Sequence, residues 1–203
     1  ASFVTEDLVT RSLRNGHVLP RSIHVGPTWV PEDVFIPLEM DLRTAAFVGP
    51  FDPGKRMSLK GWDRLVSLAS ANPDWTFRVI GSYDGLVAGP NVVLYPYLPE
   101  TVVARILGRT QVILNLSREE GMPNSLIEGM LAGALPVVGP DVWSVIEAVQ
   151  GVGEVIWDFD VSLDVAVARW AVFPDESPRE RALRLFRRED RVDLLRRVVE
   201  ALR

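Results

Sequence analysis

Two glutamates stand eight positions apart in "SREEGMPNSLIEGML", residues 117–131, on either side of a Gly-Met-Pro-Asn turn. The run follows an apolar strand-like stretch, "QVILNLS", and leads into the helical pattern "SLIEGMLAG". Asn124 is a good capping residue, with a proline before it, and Gly133 can end the helix. The start of a helix leaves about four backbone N–H groups free and carries about half a positive charge, which suits a phosphate or another anion. Gly121 has no side chain, so a ligand can come close to its backbone. Glu120 before the turn and Glu128 within the helix are both placed to face a ligand held over that start. Carboxylates take strong hydrogen bonds from hydroxyls. The chemistry suggested is a polyhydroxylated ligand carrying phosphate, hydroxyls to the glutamates and phosphate to the amides. The plainer reading makes Glu120 a solvated loop charge and Glu128 a support for the helix dipole, and spacing alone leaves both readings open.

The elements that must hold these residues alternate. Short β-branched runs read as buried strands at 45–49, 76–81, 91–95, 111–116, 135–139 and 153–157. Helical patterns lie between most of them: Leu59, Trp62, Leu65, Val66 and Ala69; Val102, Val103, Ile106 and Leu107; Leu126, Ile127, Met130 and Leu131; Val142, Val145, Ile146 and Val149. A further amphipathic pattern runs over Val192, Leu195, Val198, Val199 and Leu202. This alternation predicts an α/β fold: a Rossmann-like, doubly wound parallel sheet of about six strands with helices on both faces and a helical C-terminal segment. Ligands in such sheets bind at the carboxyl ends of strands. The loops 50–60, 81–90 and 117–124 are therefore the ones to search. Residues 1–40 do not fit the repeat. They read as the end of a strand, a helix and an irregular connector rich in Pro and Gly. The expected organisation is 1–40 as the end of a preceding domain and its connector, 41–175 as the Rossmann-like domain, and 176–203 as helices packed on it.

The chain has 203 residues, 47% apolar, with no cysteine and a formal net charge of −5. That bounds it to about one domain with a real core. There is no apolar run long enough to span a membrane, no signal-peptide pattern at the start of the sequence, and no disulfide framework or thiolate zinc site. A cytoplasmic location is expected. The acidic balance argues against a nucleic-acid partner. The segment 179–203 is rich in Arg and reads as a solvated helical face, with peripheral contact to an anionic membrane as the other reading. His17 and His24 are two isolated histidines and make no metal set. No Walker motif and no Ser-His-Asp arrangement is supported, and Gly81, Gly85 and Gly89 do not fit the dinucleotide pattern. Met122 reads as packing. The tryptophans read as core and connector anchors, Trp62 and Trp143 among them.

The stretch "SREEGMPNSLIEGMLAGALPVVG" resembles the donor-site motif of the group 1, retaining glycosyltransferases of the GT-B fold. In that motif two glutamates are separated by seven residues and followed by small-residue-small and a Pro-Val-Val strand. "FVGPFDPGKRMSLKGWDRLVSLA", "WTFRVIGSYDG" and "NVVLYPYLPETVVARILGRTQVILNLS" resemble the family's strand, phosphate loop, Lys-Gly helix start and following units, in order. Residues 4–35 look like its interdomain connector. The resemblance covers most of the chain, as the second, nucleotide-sugar-binding half of a two-domain enzyme.

The resemblance implies roles. Lys60 would contact the diphosphate as it leaves, and Glu120 the donor sugar; these are the catalytic candidates. Glu128 would bind the ribose. Gly121, Met122, Pro123 and Asn124, with Ser125 at the helix start, would hold sugar and phosphate oxygens through the backbone. Gly49 and Gly81 close the strand ends beside them, and Tyr97 and Leu98 would neighbour the base. A bound metal is not required, no cofactor is implied, and the partner is a nucleotide-diphosphate sugar. The plainer reading of Lys60 is a surface lysine at a helix start.

Two departures stand out. Pro50 occupies the position where the family has an Arg, and Trp29 one where it usually has Gly. Losing a guanidinium on a diphosphate removes about 1.5–3 kcal/mol of charge-assisted bonding. Lys55, Arg56 or Arg118 could replace it. The acceptor-binding N-terminal domain is missing from the sequence, so the isolated chain is expected to be inactive. Two functions remain: the donor-binding half of an active glycosyltransferase, or a non-catalytic nucleotide-, sugar- or protein-binding module on the same fold.

Overall fold

The computed structural model describes residues 2–4, 23–25, 30–49, 55–81, 86, 88–172 and 176–186. Two short strands, β1 (Ser2–Val4) and β2 (Ile23–Val25), pair in parallel, Ser2 opposite Ile23. The connector read as irregular thus holds a strand, because "SIHV" is β-branched enough to pair once a partner lies beside it. The helix expected between them lies outside the described residues, as do Trp29 and the amphipathic pattern 192–202.

The main body follows as β3 (Asp41–Val48), α1 (Lys55–Leu59), α2 (Trp62–Ala71), β4 (Thr76–Ile80), β5 (Val92–Tyr95), α3 (Glu100–Leu107), β6 (Thr110–Asn115), α4 (Asn124–Leu131), β7 (Leu135–Val138), α5 (Trp143–Val149), β8 (Glu154–Val155), α6 (Leu163–Val172) and α7 (Pro178–Leu185). All six strands β3–β8 are parallel, in the order β5-β4-β3-β6-β7-β8. The chain winds outward from β3 in one direction and then from β6 in the other. The order reverses between β3 and β6, and a doubly wound sheet opens its ligand crevice at the carboxyl ends there.

Strand alternation sends side chains to two cores. Ala45, Phe47, Phe77, Val79, Val112, Leu114 and Val137 meet Leu65 and Leu68 of α2 and Leu163 and Ala166 of α6. Ala46, Ile80, Ile113 and Val138 meet Leu107 of α3, Ile127 and Met130 of α4, and Val145 of α5. Both sheet faces are therefore covered, which is why the strands read as apolar runs rather than alternating ones. β3 begins four residues earlier than its apolar run predicts, through a bulge between Asp41 and Ala45 with Arg43 at φ 51°. β8 keeps only two of the five residues predicted for it.

α7 starts with a capping box, Ser177 and Glu180 exchanging bonds with each other's backbone N–H. Its Arg179 guanidinium donates to the carbonyls of Phe35, Leu131 and Glu32, tying the helix to the connector and to α4. Two tryptophans depart from the packing expected of them: Trp143 is 65% exposed and Trp157 72%, whereas Trp62 and Trp75 are buried. Among the described residues, no helix is long and apolar enough to cross a membrane.

Candidate functional site

The carboxyl end of β6 carries Leu116 and Ser117 into the loop that holds Glu120. α1 ends at Leu59, and its partner across the crevice is this same loop: the Arg118 N–H donates to Leu59 O at 2.8 Å. Lys60 and Gly61 join α1 to α2. Gly61 sits at φ 78°, and a Cβ there would lie 2.2 Å from Leu116 O. Only glycine lets the two backbones come this close. The approach delivers Lys60 to Glu120. The ammonium and the Glu120 Oε2 form an ion pair, both side chains about a quarter exposed. Ser117 Oγ lies 3.3 Å from the same oxygen. The two residues named for catalysis are thus in contact, though sixty positions apart in sequence.

Beyond Glu120 the loop opens. A Cβ at Gly121 would meet nothing within 4 Å. The Gly121 carbonyl accepts from Ser144 Oγ at 3.2 Å, which fixes the loop to the start of α5. Met122 is half-buried against the core and Pro123 is buried. The helix cap is Pro123, with φ −74° and ψ 127°, and Asn124 is the first helical residue. This corrects the expected cap by one position. A proline fixes its own φ and disfavours helical geometry in the residue before it, so the chain turns at Pro123 instead of at Asn124. The Pro123 carbonyl takes the N–H of Leu126. Ser125 is half-buried in the first turn. The helix ends as expected at Gly133, φ 87°, whose N–H bonds Met130 O while Ala134 N–H bonds Gly129 O.

Glu128 lies on the other flank. It faces Glu100 at the start of α3, and burial first and that neighbouring charge second push its carboxyl up to about 7. The two glutamates of the motif therefore stand in different settings. Glu120 is neutralised by Lys60 on the β3 side of the helix mouth. Glu128 is half-desolvated beside another acid on the β5 side.

The neighbouring strand ends are laced together. Gly49 N–H donates to Ile80 O, and Gly81 N–H donates to Tyr95 O at 3.1 Å. Gly81 has φ 92°, and a Cβ there would stand 2.2 Å from Gly49 O. Gly49 and Gly81 thus close the ends of β3 and β4 against each other. Tyr97 is 92% exposed, while Leu98 is half-buried against the core. The backbone of Lys55 and Arg56 lies in α1. Their side chains, and Pro50, lie outside the described residues.

Arg118, considered as a replacement cation for Pro50, is already paired. Its guanidinium forms a fork with the Asp63 carboxylate at 2.8 and 2.5 Å and donates to Ser58 O at 2.7 Å. The hydrogen bond from Arg118 holds the Asp63 carboxyl below its usual range. This pair clamps the loop onto α2. The Ser117, Ser144 and Glu100 contacts also escape sequence reasoning. The one legible signal was Asp63, three residues after Lys60 and on the opposite side of the Lys-Gly step. Replacing Arg118 with Gln should cost about 0.5–1 kcal/mol, since the pair is half-exposed. Urea unfolding checks it. Because Asp63 is lowered, that contribution is present above its unfolded value and should fade as the pH drops through its folded one.

Sequence and fold comparisons agree on the kind of protein this is. The family model described as Glycosyl transferases group 1 matches residues 43–163. No curated protein matches the sequence. Among solved structures, a sucrose-phosphate synthase from Thermosynechococcus elongatus superposes with a TM-score of 0.76 at 20% identity, over 99% of this chain and 58% of that one. A glycosyltransferase from Rickettsia africae gives 0.72 at 15% identity, over 98% and 62%. Anabaena HepE, solved with UDP and glucose, gives 0.71 at 13% identity, over 98% and 62%. The chain therefore spans about three-fifths of the length of these structures.

Proposed function

The chain belongs to the group 1 glycosyltransferases, and from that premise we propose that it is the donor-binding half of a retaining enzyme that takes a sugar from a nucleotide-diphosphate sugar. The observation that carries this reading is the Lys60–Glu120 pair at the mouth of α4, beside the open backbone of Gly121. A diphosphate arriving at the helix start takes the Lys60 ammonium from Glu120. The freed carboxylate then accepts from sugar hydroxyls, so one ion pair is exchanged for two ligand contacts. Glu128 accepts from ribose hydroxyls on the far flank. As the bond from the anomeric carbon to the diphosphate breaks, Lys60 and the helix start stabilise the departing charge. Catalysis in this reading is charge placement and needs no metal. HepE, a fold neighbour, was solved with UDP and glucose, which supports a nucleotide sugar as the partner. The acceptor, an N-terminal acceptor-binding domain and any membrane contact by the Arg-rich C-terminal segment belong to the same proposal, as does a cytoplasmic location.

A second reading, a binding module without turnover, draws on one observation. Arg118 is committed to Asp63, so it does not supply the cation that Pro50 lacks. Calorimetric titration with uridine, guanosine and adenosine diphosphates tests the shared core of both readings. One of them should bind, and Lys60→Ala should weaken it about tenfold, the worth of one charge-assisted contact. Binding of none at millimolar concentration would remove the first reading and leave a protein-binding module. Donor hydrolysis or transfer by the chain joined to an acceptor domain separates the first from the second.

A further inference from the structure

A groove of about 200 Å³ runs along one flank of α3, lined by Asp41, Arg78, Tyr95, Val102, Arg105, Ile106 and Arg109. We propose that it binds a phosphate-bearing anion at a place separate from the candidate donor site. Its floor is apolar, from Val102, Ile106 and the Tyr95 ring side, and three guanidinium groups border it against one carboxylate.

Arg78 is fixed in place. It donates to Asp41 Oδ2 at 2.5 Å and to Thr110 Oγ1 at 3.2 Å, so Asp41 offsets only this one cation. Arg105 and Arg109 are exposed and make no ion pair with any described residue. A cation near a helix end is ordinarily explained by the carbonyls it faces. Here four of the carbonyls around that end already have donors. Ala104 O takes Gly108 N–H, Ile106 O takes Arg109 N–H and Thr110 Oγ1, Gly108 O takes Leu38 N–H, and Arg109 O takes Asp41 N–H. The helix end thus leaves two arginines unemployed beside a concave surface where a third is held rigid. Planar guanidinium forks match phosphate oxygens in pairs, which sets phosphate above a simple halide.

The arginine end of the groove is distinct from the donor site, while Tyr95 at its other end closes β5 beside Gly81. α3 runs back from the carboxyl ends of the strands, so Arg105 and Arg109 lie toward their amino ends, beside Asp41 at the start of β3. Lys60 and Glu120 lie at the opposite end. The anion can come from a small phosphorylated metabolite or from a lipid headgroup, and the two sources are separable.

The test is an amide-detected NMR titration of the chain with inorganic phosphate, alongside co-sedimentation with phosphatidylglycerol–phosphatidylcholine vesicles and with phosphatidylcholine alone. Signals around α3 and β4 should move with phosphate, and the Arg105→Ala/Arg109→Ala double variant should bind at least tenfold more weakly. Arg105→Lys/Arg109→Lys should recover part of the loss. Both substituted residues are exposed, so the urea midpoint should not change. Vesicle binding that needs the two arginines, with no response to free phosphate, would assign the anion to a lipid. A double variant that binds phosphate and vesicles as the parent does would overturn the proposal. So would silence in both arms.

Discussion

Gly61→Ala should destabilise the protein by about 3 kcal/mol or more. Two costs add. The residue sits at φ 78°, where an L side chain pays about 1–2 kcal/mol. The new Cβ also falls 2.2 Å from Leu116 O and 2.9 Å from Leu116 C. Those are backbone atoms at the buried end of β6, and Leu116 O already holds Arg64 Nη1 at 3.1 Å. No flexible side chain can yield, so either the end of β6 or the start of α2 must move. The movement separates Lys60 from Glu120, so nucleotide-diphosphate affinity should fall more than in Lys60→Ala even where the variant remains folded. Urea unfolding and the same titration read both effects. Gly121→Ala is the control: its Cβ meets open space, so stability should change by less than about 0.5 kcal/mol. A wild-type urea midpoint for Gly61→Ala would refute the close approach of α2 to β6 as the device that brings Lys60 to Glu120.

That contact marks the limit of what the amino-acid order reveals. Most strands were legible as apolar β-branched runs, although β5 and β8 are only partly buried, and Gly133 announced the end of α4. The Lys60 and Glu120 candidates came from family resemblance as much as from spacing. Their meeting depends on sheet order, β3 beside β6, which local pattern does not encode. Side-chain partners were least legible. Arg118 looked like a free cation near a phosphate site, yet Asp63 one helix away takes it. Trp143 fits a helical pattern but lies at its first position, ahead of the part of α5 that meets the core. Pro123 took the cap from Asn124 because backbone restriction outweighed side-chain capping. Glu128 was open between a ligand contact and dipole support, and what sets its character is burial together with Glu100, on a helix that sequence distance hides.

The consequence of that last contact is a pH dependence of opposite sign to the usual carboxylate. The Glu128 carboxyl is raised from 4.5 to about 7. Between those values the folded protein holds a proton that the unfolded chain has released, so stability falls as the pH rises through this window and levels off above it. Replacing Glu128 with Gln removes the burden. The variant should match the parent near pH 4 and exceed it by about 2 kcal/mol near pH 8, a discounted conversion of the shift because the group is only partly buried. Urea midpoints across the pH range check this. Ligand binding should run the other way. In the proposed donor site a ribose hydroxyl would donate to the carboxylate, so a bound nucleoside diphosphate would favour the charged form and draw the carboxyl back down. Affinity should therefore rise between pH 6 and 8 in the parent by more than in the Gln variant, whose remaining change reports the phosphate's own titration. Glu128→Gln would then be the more stable protein and the weaker binder. That combination separates a carboxylate kept for a ligand from one that merely supports a helix, since loss of a helix support would lower stability at every pH where the acid is charged.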